Sequence, residues 1–192
     1  MESEGKVVCN DYPALVGSSL SGRYGERYGL PIAVENDVNA AALGYCRREG
    51  VSDGAAMAYL YFPKRHPPGM GICVGGELYR GKSGYAGEVG SIPLGIDWGT
   101  PSLYMSPAAR SRAIGLVIAA FAALLNPGSA ILCGEFLEEA DIGAIETECA
   151  RWVPHNALPS IGVSRDFSLD YQNGLIGETL ALMEPRSPSP TT

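Results

Sequence analysis

The sequence predicts an α/β fold with a mixed sheet, on three observations. Short apolar runs of strand length alternate with longer helical patterns. A Gly75-Gly76 pair divides one apolar run into a hairpin, which places an antiparallel pair inside the alternation. The 192 residues are 46% hydrophobic and 18% charged, a globular balance with enough apolar material for a core.

Taken in order, residues 1–9 are polar and read as frayed. Residues 15–28 form a helical pattern with Leu15, Leu20 and Tyr24 on one face, stopped by Gly29. Pro31-Ile32-Ala33-Val34 reads as a short buried strand. Asn36 or Asp37 then caps a helix that runs through Ala40, Ala41, Ala42 and Leu43 towards Gly50. Asp53-Gly54 is a turn signal, and residues 55–62 are an apolar, aromatic strand. Residues 63–69 hold three prolines and form a loop. Residues 71–74 and 77–80 are the two arms of the hairpin. Residues 81–95 are Gly-rich and irregular. A long helix opens at Pro107 or Ala108 and is broken by Asn126-Pro127-Gly128. Residues 130–133 are a buried strand ended by Gly134, residues 143–153 a helix, residues 161–164 a last strand, and residues 175–183 a final helix. Residues 184–192 are rich in Pro and Ser and read as a disordered tail.

Net charge −7 argues against nucleic-acid binding by this segment, because a phosphate backbone demands a basic face. Five cysteines without short spacing suggest neither a disulfide framework nor a zinc site, and they read as small buried thiols in a reducing cytoplasm. The longest apolar stretch, residues 113–125, falls short of the roughly 20 residues a span needs, so a buried helix is expected and no membrane partner.

Three stretches can carry chemistry. Glu35-Asn36-Asp37-Val38-Asn39 follows a strand, where ligands of open α/β sheets sit. An acid and an amide there can hydrogen-bond sugar hydroxyls, and Asp37 can take a proton from one that attacks phosphate. Helix capping is the commoner use of such residues. In the stretch from Gly81 to Gly90, glycines surround Glu88, and its carboxylate can accept from hydroxyls; a solvated surface loop is the plainer alternative. Gly69-Met70-Gly71 can present backbone N–H groups to phosphate, or be only a turn. His66 and His155 have no partner at ligand spacing and read as surface residues. Trp98 and Tyr104 read as packing, and Arg80 and Lys82 as a solvated face.

Taken together these stretches resemble the ROK (repressor, open reading frame, kinase) family. Residues 30–44, LPIAVENDVNAAALG, resemble its sugar-site segment. Residues 69–81 followed by 84–90 resemble its signature. Leu125-Asn126-Pro127 with Ile131-Leu132-Cys133-Gly134 resembles the segment before its nucleotide-side glycines, and Gly174-Leu175-Ile176-Gly177 its closing helix. The resemblance covers roughly residues 25–183.

It implies an actin-like (ribonuclease-H-like) sugar-kinase fold, a mixed sheet flanked by helices with an incomplete first lobe. The implied division is a remainder of the small N-terminal lobe at 1–52, a large lobe at 53–171, a closing helix at 172–184 packing back on the small lobe, and the tail at 185–192. By the same resemblance Asp37 is the catalytic base, and Asn36, Asp37 and Glu88 bind the sugar. Gly69 and Gly71 form the second phosphate loop, and Gly134 lies on the adenosine side. ATP and magnesium are implied if the chain is a kinase. The family's opening Asp-x-Gly-Gly-Thr turn has no match here, and Ser91 stands where the family carries a zinc-binding His. Zinc is therefore not expected, and the nucleotide site is expected to be incomplete. The expected function is carbohydrate binding related to sugar kinases, with hexose or N-acetylhexosamine as substrate class. The alternatives are a non-catalytic sugar-sensing domain of a transcriptional regulator and a degenerate kinase remnant. A homodimer is also expected, since the family often pairs.

Overall fold

The structure, a computed structural model, describes residues 2–3, 6–7, 13–51, 54–63 and 66–183, without the side chains of residues 2–3, 6 and 102. The expected tail at 185–192, Cys9 and Asp53 lie outside the described residues. Two short strands, β1 (Glu2–Ser3) and β2 (Lys6–Val7), pair antiparallel where a frayed terminus was expected. Val7 is buried and exchanges backbone hydrogen bonds with the next segment, donating to Ser18 O and accepting from Gly17 N at 2.8 Å each. The pairing therefore has a non-local tie that local composition does not show.

The expected first helix is shorter than its pattern. A 3-10 turn at Pro13–Leu15 precedes α1 (Leu20–Tyr28), whose N-cap is Ser19. Gly29 ends α1 at φ +63, the left-handed conformation that glycine adopts without penalty. Residues 31–34 are not a strand. Ile32 and Val34 are half-buried and Pro31 and Ala33 exposed, so the period of a strand is present. No described strand lies alongside to complete a ladder.

The main sheet has five strands: β3 (Ala56–Tyr61), β4 (Gly69–Val74), β5 (Glu77–Leu78), β6 (Ser129–Cys133) and β7 (Ser160–Val163). Their order is β5-β4-β3-β6-β7. β4 is antiparallel to β3 and β5, while β3, β6 and β7 are parallel, which makes the sheet mixed. Gly75 and Gly76 turn the β4–β5 hairpin at φ +60 and +84, the positive pair that a two-residue turn demands.

Alternation along β3 sorts the core into two layers. Ala58 and Leu60 face one side, with Met70, Ile72, Ala130 and Leu132. There they meet α4 (Pro107–Leu125) and α5 (Ile142–Cys149) through Ile114, Val117, Ile118 and Ile145. Met57 and Tyr59 face the other side, with Cys73, Ile131 and Cys133. There they meet α2 (Asp37–Glu49) through Val38, Ala41, Ala42 and Cys46, and α6 (Phe167–Met183) through Phe167 and Tyr171. A short helix, α3 (Pro101–Met105), precedes α4. By length and composition α4 can cross a membrane, but it is the core helix, covered by the sheet and α5. The four described cysteines are free and buried.

α6 begins eight residues before the expected start at 175. Asp166 opens it, its Oδ1 accepting from Leu169 N at 2.9 Å. The implied lobe boundary between 171 and 172 therefore falls inside one continuous helix. α2 and α6 lie against each other on the same face of the sheet.

Candidate functional site

α2 opens at the C-terminal edge of the parallel strands, and its first turn is capped by side chains. Asn36 is the cap, its Oδ1 accepting from Val38 N at 3.0 Å and Asn39 N at 3.1 Å. Asp37 is exposed, with Oδ1 accepting from Val38 N at 2.9 Å. An anionic carboxylate at a helix N-terminus is favoured by the helix dipole. Capping and ligand binding are compatible here, because the cap uses the Asn36 oxygen and leaves its Nδ2 as the donor to offer a hydroxyl.

Glu35 sits just outside the helix and is nearly buried, with 8% of its side chain exposed. Its Oε1 accepts from Asn36 N at 2.9 Å and from the buried Asn39 Nδ2 at 3.0 Å. Its Oε2 accepts from Arg80, whose guanidinium also donates to Glu178 on α6 at 3.1 Å. Sequence reasoning assigned Arg80 to a solvated face; the structure places it in this ion-pair network. Forty-five residues separate Glu35 from Arg80, and no local pattern signals the pairing.

Glu88 is half-buried, ahead of a 3-10 turn at Val89–Ser91. The turn is pinned by Val89, 1% exposed, and by Gly87, whose carbonyl accepts from Met70 N at 3.0 Å. A Cβ on Gly87 would lie 1.8 Å from Met70 O, and its φ is +92, so only glycine fits. On the face of β4 that α2 covers, a Cβ on Gly69 would meet the Val38 side chain at 2.9 Å. Val38 follows Asp37 and Gly87 precedes Glu88, so the two acids are each one residue removed from contacts on consecutive residues of one strand. Two clefts elsewhere, of about 470 Å³ beside α4 and about 320 Å³ beside Arg48 and Ser164, are not lined by Asn36, Asp37 or Glu88.

Tyr61 closes the end of β3 and stacks on Phe167 at 4.1 Å. Burial raises its phenol pKa first, and the nearby Cys133, Glu135 and Asp37 raise it further. A phenol is protonated at neutral pH in any case, and these causes keep it so.

The glycines expected to hold phosphate stand differently. Gly69 and Gly71 lie within the β3–β4 ladder, opposite Tyr61 and Tyr59. A Cβ on Gly71 would meet Ala42 Cβ at 2.4 Å and Val38 O at 2.8 Å. Both glycines let α2 settle on the sheet, which is a packing role. A Cβ on Gly134 would meet Phe62 O at 2.9 Å, again a close crossing of backbones. Close packing thus accounts for glycine at all three positions. Among the described residues no three His, Cys, Asp or Glu side chains gather as a metal site. Trp98 is buried and tilted against Phe62, and the Tyr104 hydroxyl donates to Trp98 O at 2.9 Å, so both aromatics pack the linker.

A mixed five-stranded sheet layered between helices, with acids at the mouth of a capped helix, defines a protein of the actin-like sugar-kinase fold. The fold is shared with a ROK family glucokinase from Streptomyces griseus, solved with glucose and AMPPNP, at a TM-score of 0.68. That likeness covers 94% of this chain and 78% of the other at 21% identity. The chain belongs to the ROK family, whose model matches residues 3–103. It is 39% identical over 92 residues to the bifunctional enzyme NanE/NanK of Brucella suis, 48% of this chain and 16% of that protein. It is 37% identical over 72 residues to the xylose repressor of Bacillus subtilis, 36% of this chain and 17% of that protein. The aligned stretches thus span about a sixth of each of these two relatives.

Proposed function

We propose that the mouth of α2 and the Glu88 turn together form a sugar-binding site. Asn36, Asp37 and Glu88 are its hydrogen-bonding residues. The observation that carries this reading is that Val38 and Gly87 abut consecutive residues of β4, Gly69 and Met70, so both acid-bearing segments meet the same end of one strand. Carboxylates and amides in pairs suit vicinal hydroxyls, since each can accept or donate at two atoms. Membership of a family that includes a glucokinase solved with glucose supports a hexose or a related sugar as the ligand.

The site serves either of two forms of this reading, a sugar kinase or a sugar sensor without phosphoryl transfer. In the kinase form of the reading, Asp37 is the base that receives the proton of the attacking hydroxyl.

Calorimetric titration with hexoses, N-acetylhexosamines and ATP, each alone, separates the two forms. Sugar binding without ATP binding selects the sensor. Binding of both, with a drop of about 10²–10⁴ in phosphoryl transfer for Asp37→Asn, selects the kinase. A chain that takes none of these sugars overturns the reading.

A further inference from the structure

We infer that Arg80 is a positioning residue that holds the Asn36–Asp37 segment and the Glu88 turn at one separation. The inference rests on the proposed sugar site and adds what fixes its width. Arg80 reaches both halves by separate atoms. Its guanidinium binds Glu35, the neighbour of Asn36, at 2.6 Å, and Glu178 on α6 at 3.1 Å. Its main-chain carbonyl accepts from Ala86 N at 3.3 Å, two residues before Glu88. Gly81, at φ +68, turns the chain directly after it, so the Gly-rich loop leaves from Arg80 and returns to it.

The pair differs from an ordinary surface salt bridge, which contributes little. Glu35 is only 8% exposed, so loss of Arg80 leaves a nearly buried carboxylate without its cation. Glu35 Oε1 also holds Asn36 N and Asn39 Nδ2, and any shift of Glu35 therefore moves the cap of α2. A guanidinium fork can serve both carboxylates at once, which a single ammonium does less well. Burial lowers the Arg80 pKa, but the Glu35 and Glu178 carboxylates outweigh it and raise it overall.

The test compares Arg80→Gln and Arg80→Lys with the unaltered chain. The first readout needs no ligand: amide hydrogen exchange followed by NMR. Arg80→Gln is expected to raise exchange at Asn36, Val38 and Asn39 by about tenfold, with Ile114 in the α4 core unchanged and Arg80→Lys intermediate. Unchanged exchange at those three amides overturns the inference. The second readout is titration with the sugar that the unaltered chain binds best. The dissociation constant for Arg80→Gln is expected to rise about tenfold or more, as small misplacements of binding groups are costly. An unaltered constant, with sugar binding intact, also overturns the positioning role. If the unaltered chain binds no sugar, the sugar-site reading fails by itself, and the exchange measurement still decides whether Arg80 sets the geometry.

Discussion

Gly174→Ala is expected to lower the stability of the chain by about 3 kcal/mol or more, or to prevent folding. A Cβ at Gly174 would lie 1.8 Å from Ala40 O and 2.6 Å from Ala40 C. From the facing helix, a Cβ at Gly44 would lie 1.9 Å from Asp170 O and 2.6 Å from Gly174 N. α2 and α6 thus cross backbone to backbone at two glycines, and main-chain atoms cannot rotate aside. Gly177→Ala makes the control. There the obstruction is Arg47 Nη1 at 1.5 Å, the end of a flexible side chain that can move. With Arg47 displaced, the gain in helix propensity, about 1 kcal/mol, is left to act, so this variant is expected to be near neutral or slightly stabilised. Urea midpoints of the three proteins measure the contrast. Equal midpoints for Gly174→Ala and the unaltered chain would show that the crossing is looser than described.

Asp170→Leu is expected to cost about 3 kcal/mol. Asp170 is fully buried on α6, and three donors converge on it: Tyr59 Oη at 2.8 Å, Ser164 Oγ, and Arg48 from α2. Leucine fills the volume but accepts nothing. The Tyr59 and Ser164 hydroxyls then lose their shared carboxylate and keep only each other and Cys133 as partners, while Arg48, about a third exposed, can turn to water. Burial, the largest cause, raises the Tyr59 pKa far above its ordinary value, so the group stays protonated and a donor throughout the accessible range. Adding Tyr59→Phe to Asp170→Leu is expected to recover about 1 kcal/mol, because one hydroxyl deprived of that carboxylate disappears. A double variant no more stable than Asp170→Leu alone would argue that the hydroxyl finds another partner.

Both features were hidden in the sequence, and for the same reason. The first half of α6 reads SLDYQNG, and Asp170, Asn173 and Gly174 are weak helix formers. Its helicity comes from tertiary contact: the Asp170 network and the close seat on α2. The stretches with strong periodicity were legible. β3, β6 and α4 lie within a residue of their apolar patterns, and the paired glycines located the β4–β5 turn. Residues 31–34 show the limit of periodicity, since an apolar run has the spacing of a strand whether or not a partner lies beside it. At the candidate site the cap at Asn36 was legible, as a short polar side chain ahead of an alanine run. So was the general place of Glu88, among glycines. Gly69 and Gly71 were legible as glycines, but their close approach to α2 was not, because many kinds of close backbone approach ask for the same residue. Family membership, read from motif order, is matched by the family model over residues 3–103. The Glu35–Arg80–Glu178 link joins three distant parts of the chain, and nothing short of the folded structure brings them into view.

The unladdered passage at 31–34 has a mechanical outcome. Main-chain rungs to a neighbouring strand resist dissolved ions, but Glu35, which ends this passage, is moored through a guanidinium that is 43% exposed. Yet screening acts over about 8 Å at physiological ionic strength, so a contact at 2.6 Å to a carboxylate only 8% exposed is weakened little by it. The entrance to α2 is therefore held at a few side-chain points and not along a ladder, and one side-chain exchange there, more than the surrounding electrolyte, slackens this corner while the sheet behind it keeps its shape.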